Sequence, residues 1–401
     1  MPRRDKRSGS AWRTGAAMLT AALAVAVCLC APSMRPTAAL QANPPGQDAL
    51  RTIRIGVFSL FRPTELVLRP VQGSSLAIEL GNSSLALPAN NPSLIVHASN
   101  GEIQIQLTPE SRPMKGNSLR AHSLTPPAEG TTRFWLEVPG KLRREYEGAL
   151  EIRAHGQTLE AIVAMPLEIA VASVVQAESP PGARIEALKA QAVAARSFFM
   201  ARQASHLDFD FCDTTHCQFL RSPPAFGTLA AQAARATEGL VLTWHDDNSA
   251  QDKTLAAMYA RSCGGRSRTL REIGAPSAGY PYYAVRCAYC RRHPELWRRA
   301  IPAEAQIGAQ SGSRSGSEPR TERDRLDFNR IHGWGAIPSI AETSHGSTNA
   351  GEPGWISGRG VGHGVGLCQL GAADMARRGA SFAQILAHYY PNTRLASIPA
   401  R

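Results

Sequence analysis

The sequence predicts an α+β (or α/β) protein with a β-rich N-terminal region, and three observations carry that reading. From Thr52 to about Glu160, short runs such as TIRIGVF, SLAIEL, SLIVHA, EIQIQL, RFWLEV and ALEIRA are separated by Gly, Pro and Asn. Their apolar/polar alternation suits half-buried strands. Next, MPLEIAVASVVQAE (165–178) is an apolar, helix-compatible segment that closes at Glu178, where Ser179-Pro180-Pro181 forces a break. It is followed by ARIEALKAQAVAARSFFMAR, whose Ile185, Leu188, Ala192, Ala195 and Phe199 recur every three or four residues, the mark of a helix with one buried stripe. Finally, SFAQILAHYYP is helical in pattern and stops at Pro391. Helices are thus expected over 165–203 and 381–390. Between them, AAQAARATEG predicts a short helix and LVLTW a strand, and the polar, Gly/Ser-rich 306–325 reads as a flexible insertion.

The N-terminus has a different character. Arg3, Arg4, Lys6, Arg7 and Arg13 precede the apolar run from Ala16 to Ala31, which is shorter than the ~20 residues a spanning helix prefers. That order of basic, apolar and small residues is a secretory signal. The expected organisation is therefore 1–40 as a signal peptide or N-terminal membrane segment, 41–160 as the β-rich region and 161–401 as the domain carrying chemistry. The protein is expected to be exported to the cell wall or periplasm, with 1–40 either cleaved or kept as a tether. Residues 1–40 hold six Lys/Arg and one Asp, so of the formal +12 the remainder keeps +7. Such a surface is drawn to anionic polymers. No basic stripe interleaved with aromatics follows the signal, which argues against nucleic acid as a partner.

Candidate chemistry lies in the second half. Glu178 follows Val174 and Val175 at a helix end, a setting in which burial raises a carboxyl pKa toward that of a general acid. FCDTTHCQFL (211–220) places Cys212, His216 and Cys217 within six positions, with His206 six residues before Cys212. These are zinc ligand types, and Asp213 could accept a hydrogen bond from a ligating histidine. A Cys212–Cys217 disulfide is the rival reading. Two Gly-rich segments follow. ARSCGGRSR surrounds Cys263, and GRGVGHGVGLCQLGA (358–372) lets backbone approach a ligand while His363 and Gln369 offer polar groups. Cys287-Ala288-Tyr289-Cys290 is a lone CxxC, open to a second metal half-site or to oxidative pairing with Cys263, and Cys368 completes the six cysteines beyond the signal.

In order, VVQAESP, EALKAQAVAARSF, CDTTHCQ, SCGG, GRGVGHGVGLCQLGA and ILAHYYPNT resemble the blocks of the SpoIID/LytB family, stage II sporulation protein D-like proteins that act on bacterial peptidoglycan. The resemblance runs from about Met165 to Thr393. It implies a SpoIID-like catalytic domain and a lytic transglycosylase that cuts glycan strands between N-acetylmuramic acid and N-acetylglucosamine, leaving a 1,6-anhydro end. Glu178 is then the single general acid/base, and His206, Cys212, His216 and Cys217 would hold zinc that shapes a loop or touches substrate. Lys189, Arg196, Gln218, Ser262, Gly264, Gly265, His363 and Gln369 fall in the matching blocks as substrate-binding candidates. Peptidoglycan glycan strands are the implied partner, with an amidase that strips their peptides as a second. A LytB-type protein that binds peptidoglycan and enhances an amidase, without turnover of its own, is the alternative. The chain departs from the family pattern at Ser197-Phe198, where Thr-Tyr is usual, and at Arg266 after SCGG.

Overall fold

The computed structural model describes residues 51–398 apart from 90–92, 108–110, 125–131, 202–205, 277–278, 301–321, 333–336, 341–343 and 347–354. The signal segment and most of the 306–325 insertion lie outside the described residues. The last four residues of that insertion open a helix, Glu322–His332.

The β-rich expectation corresponds to two facing sheets. Strands β1 (Thr52–Val57), β2 (Glu65–Pro70), β3 (Leu76–Leu80), β4 (Ser83–Leu87), β5 (Leu94–Ser99), β6 (Glu102–Gln106), β7 (Met114–Gly116), β8 (Ser118–Ser123), β9 (Arg133–Val138), β10 (Leu142–Glu147), β11 (Ala149–His155), β12 (Thr158–Pro166) and β13 (Phe211–Cys212) build them. One sheet runs β13-β1-β12-β11-β8-β3-β4 and the other β10-β9-β2-β5-β6-β7. The alternation seen in sequence becomes burial on one face. Ile103 and Ile105 of β6, Leu94 and Val96 of β5, and Leu150 and Ile152 of β11 enter one core while the residues between them face outward.

A boundary at 160/161 falls inside β12, and the two regions are joined by more than contact. Strand β13 pairs in parallel with β1, Ile55 opposite Phe211 and Gly56 opposite Cys212. The segment carrying the predicted metal ligands is thus the edge strand of the N-terminal sheet. Tyr146, Phe134, Ala195 and Phe199 all belong to one hydrophobic core.

Helix α1 (Leu167–Glu178) begins directly after β12 and ends where Ser179 turns extended ahead of Pro180. A proline ring excludes the helical conformation for the residue before it. Helix α2 (Ile185–Ala201) corrects the expectation of a single buried stripe, since Ala187, Leu188 and every residue from Ala190 to Phe199 are buried. Its alanines let α1, α3 (Leu229–Ala236), strand β14 (Leu240–Asp246) and the two C-terminal helices close around it on all sides. A helix so enclosed needs no polar face, and the one charge it buries, Arg196, is fully partnered.

Downstream lie β15 (Gln251–Thr254), β16 (Tyr259–Ala260), α4 (Ala288–Arg292), β17 (Leu296–Ala300), α5 (Glu322–His332), β18 (Ser344–Gly346), β19 (Trp355–Arg359), β20 (Leu367–Cys368), α6 (Gln369–Arg377), α7 (Phe382–Tyr389) and β21 (Thr393–Ser397). Helix α7 starts with a reciprocal capping box between Ser381 and Gln384. The glycine-rich 358–368 stretch runs beside 258–268, with Tyr259 paired to Leu367, Ala260 to Cys368 and Ser262 bridged to Val361. Here the glycines admit the protein's own backbone. Gly366 has φ +71°, and a Cβ there would sit 2.0 Å from the Met258 carbonyl oxygen.

Candidate functional site

Glu178 closes α1 and is partly buried. Its Oε1 accepts the Phe219 backbone N–H at 3.0 Å. Burial pushes its pKa up, opposed by the Phe219 N–H, then by Gln369 and by the charge of Arg221. The carboxyl is thereby raised toward the proton-donating range while a fixed donor orients it. Gln369, the first residue of α6, is buried near the Glu178 carboxyl, close enough to favour its charged form although its Nε2 closes no full hydrogen bond. Ser179 Oγ and both amide atoms of Gln191 are likewise buried without partners. These three side chains line one cavity of about 10 Å³ at the end of α1.

The donor to Glu178 stands two residues beyond Cys217, and the loop between is tightly determined. Cys212 is fixed by pairing with β1, Cys217 N–H donates to the Thr214 carbonyl at 3.0 Å, and Leu220 N–H to that of Asp213 at 3.4 Å. Around this loop the ligand atoms of His206, Cys212, His216 and Cys217 all lie within 4.8 Å of one another. His206 Nε2 is 3.3 Å from Cys217 Sγ, and His216 Nδ1 is 3.7 Å from Cys212 Sγ and 3.5 Å from Cys217 Sγ. Those separations are the edges of a tetrahedron with bonds of about 2.0–2.3 Å, the dimensions of a two-Cys, two-His zinc site. The Cys212 thiol is held far below its usual range by hydrogen bonding from Cys217, with His216 and Thr214 adding to it. A metal held by this quartet would have four protein ligands and no open position, so the donor set fits a structural ion.

Asp213 does not support a ligating histidine. Its carboxylate pairs with Arg144 of β10 at 2.9 Å and accepts the Phe58 N–H at 3.4 Å, and burial drives its pKa up to about 6 against the pull of Arg144. This pair locks the His/Cys loop to the N-terminal sheets, a contribution from a region whose sequence shows no chemical motif. The same face carries a cleft of about 530 Å³ lined by Arg143, Arg144, Gln176, Phe219 and Arg221. Phe219 and Arg144 also border a second, more apolar hollow of about 280 Å³, with Phe58, Phe61 and Thr214. Sequence reasoning missed Arg144, Arg221, Phe219 and Tyr259, because nothing local marks residues that act through a distant carboxylate.

Several predicted substrate contacts are placed elsewhere. Arg196 is 0% exposed, bonded to both oxygens of Glu168 (2.7 and 2.5 Å) and to the Leu240 and Ala234 carbonyls, so it braces the core and cannot reach a ligand. Gln218 is buried with its amide spent, donating to the Ala195 carbonyl at 3.2 Å and accepting from Tyr259 Oη at 2.7 Å. It positions Tyr259, whose phenol is pushed well up by burial and by the Glu178 charge. Ser262 is buried against Cys290, with Oγ and Sγ 3.5 Å apart. Lys189 pairs with Glu186 at 2.7 Å and stands over the Phe382 ring, where α2 meets α7. Gly264, at φ +74°, and Gly265, at φ +134°, form a turn that no other residue adopts easily. His363 Nδ1 accepts the Val365 N–H at 3.0 Å, which leaves its other nitrogen to carry the proton. Of the eight candidates, Gln369 is the one that acts on the Glu178 carboxyl, favouring its charged form.

The segment that places Glu178 against the His/Cys loop is also matched by known sequences. Residues 155–244, from the end of β11 through α1, the His/Cys loop and into β14, match the SpoIID family model, described as stage II sporulation protein. The chain is 25% identical over 305 residues to stage II sporulation protein D of Bacillus amyloliquefaciens, covering 66% of this chain and 84% of the relative. It is 27% identical over 270 residues to an uncharacterised protein of Brachyspira hyodysenteriae, covering 61% and 71%. A shorter match, 52% over 42 residues, joins 10% of this chain to 6% of the amidase enhancer of Bacillus subtilis. Over 155–244 the chain thus carries a SpoIID segment, and over about two thirds of its length it is similar to stage II sporulation protein D at low identity.

Proposed function

We propose that this protein acts on the bacterial cell wall as a peptidoglycan lytic transglycosylase, with Glu178 as its single acid/base. A cell-wall role is supported by the SpoIID match over 155–244 and by the short match to an amidase enhancer. The observation that carries the chemistry is the Glu178 carboxyl, its pKa raised by burial and its Oε1 held by the N–H of Phe219 at 3.0 Å, a residue that also lines the arginine-bearing cleft. The other raised carboxyl, Asp213 of the loop, is tied to Arg144. Glycosidases ordinarily need two carboxylates. Cutting a muramoyl bond by the lytic transglycosylase route can use one, because the sugar's own C6 hydroxyl is then the nucleophile and its proximity replaces an activated water. Protonated Glu178 gives its proton to the glycosidic oxygen as the C1–O bond breaks. The C6 oxygen then bonds to C1, and its proton returns to the Glu178 carboxylate. No water is consumed. Arg143 and Arg221, both exposed, give the cleft a charge suited to the lactyl and peptide carboxylates of the polymer.

Zinc in the His206, Cys212, His216, Cys217 quartet would hold the loop that presents the Phe219 N–H. With four protein ligands it offers no place for an attacking water, which disfavours a zinc hydrolase. The second reading, a wall-binding amidase enhancer without turnover, draws on the 42-residue match. Glu178→Gln separates the two. With peptide-free glycan strands, the enzyme reading predicts a fall of roughly 10²–10⁴-fold in chain cleavage. Because the native carboxyl is raised, its charged form is disfavoured in the folded state, and its stability contribution disappears as pH rises through that pKa. The glutamine variant should therefore melt at or above the wild type at pH 8, with the difference vanishing near pH 4. Undiminished activity in the variant would refute the acid/base role, and no cleavage by wild type would favour the enhancer.

A further inference from the structure

A second quartet stands in the core, made of the four cysteines whose pairing the sequence left open. Cys263 lies in the turn after β16, Cys287 immediately precedes α4, Cys290 is within α4, and Cys368 ends β20. Their Sγ atoms all lie within 4.8 Å of one another, and each residue is 3% exposed or less. We propose that Cys263, Cys287, Cys290 and Cys368 form a tetrathiolate site for a single zinc ion, separate from the His/Cys quartet.

Three features carry this. The spacing is that of a mononuclear site: Cys290 and Cys368 have their sulfurs 3.5 Å apart, against about 2.05 Å for a disulfide. A tetrahedron with Zn–S bonds of about 2.3 Å has sulfurs about 3.8 Å apart. An iron–sulfur cluster places several irons between its cysteines and needs them spread wider than this quartet allows. The surroundings also suit thiolates. Gly371 N–H donates to Cys368 Sγ at 3.4 Å, Tyr389 Oη to Cys287 Sγ at 3.5 Å, and Ser262 Oγ lies 3.5 Å from Cys290 Sγ. Such donors spread the charge of a ZnS₄ centre and orient its ligands. Finally, backbone is brought unusually close to the sulfurs. A Cβ at Gly371 would fall 2.6 Å from Cys287 Sγ and 2.0 Å from Tyr389 Oη, so α6 can dock here only through a glycine.

Soft sulfur donors in tetrahedral array select zinc among the abundant divalent ions, and a closed four-ligand set makes its role structural. The ion would tie three separate segments together: the SCGG turn, α4 and the junction of β20 with α6. Gln369 follows directly on Cys368, so the centre would also fix the start of α6 beside Glu178.

The test uses the full exported chain carrying His206→Ala and His216→Ala, which disables the first quartet and leaves this one intact. Metal analysis should find one zinc per chain, and X-ray absorption at the zinc edge should show sulfur alone in its first shell, at about 2.3 Å. Cys287→Ser added to that background should abolish the zinc. If it also prevents folding, the absorption spectrum of the parent still decides the matter. A metal-free parent whose intact mass is lighter by the hydrogens of two disulfides would overturn the proposal. So would zinc with nitrogen or oxygen neighbours.

Discussion

The two quartets show how differently one chain can assemble a site from similar residues. The first is local. Its four members span positions 206–217, its His216 is exposed, and its ligand geometry follows from one short loop anchored to β1 and to Arg144. The second gathers residues 263, 287, 290 and 368, all buried, and exists only because three segments pack together. The local site can change while the rest of the core stands, whereas the scattered site is inseparable from the core around it. Each also reaches Glu178 by its own route, the first through the Phe219 N–H and the second through Gln369.

The largest effect should come from the scattered site. Cys290→Ser is expected to cost several kcal/mol of stability, drawn from the roughly 10–16 kcal/mol that a structural zinc can contribute to folding. Thermal melting and soluble yield measure it, and a melting temperature equal to wild type would place the quartet outside the folding energetics. His216→Ala should divide its effect the other way. Glycan cleavage should fall by about 10–100-fold, the cost typical of disturbing what positions a site, with a smaller loss of melting temperature than Cys290→Ser. Equal thermal losses in the two variants would erase the distinction between local and scattered sites.

Smaller effects should appear in the pH profile. The first step needs protonated Glu178, so kcat/KM should fall as pH rises through its pKa. Gln369 favours the charged form, and Gln369→Leu should therefore raise that pKa and move the falling limb to higher pH. Arg221→Gln should move the limb in the same direction but by less, and added salt should shrink the difference, since the arginine is exposed and acts through its charge. A limb moving to lower pH in either variant would show that the environment of Glu178 is misread.

The sequence disclosed what is written locally. Six alternating runs became strands, Ser179-Pro180 ended α1, and the spacing of Ile185, Leu188 and Ala192 marked α2, because hydrophobic periodicity and proline act within a few residues. It understated the burial of α2, since small alanines conceal how many neighbours a helix can accept. Glu178 and the His/Cys loop were also legible, each as a compact motif. What pairs across the chain was not. Arg144 with Asp213 bridges 69 positions, and Gln218 with Tyr259 bridges 41. Arg196 and Gln218 illustrate the converse error, in which polar residues inside a recognisable block were assigned to substrate but are consumed in holding the fold.

The central claim is that one carboxyl suffices because the substrate supplies its own nucleophile. Digestion of peptide-free glycan strands in water enriched in heavy oxygen, followed by mass spectrometry of the new muramoyl ends, tests it most directly. The account predicts 1,6-anhydro ends carrying no label. Reducing ends that carry heavy oxygen at C1 would show that water attacks the glycosidic carbon and would contradict it.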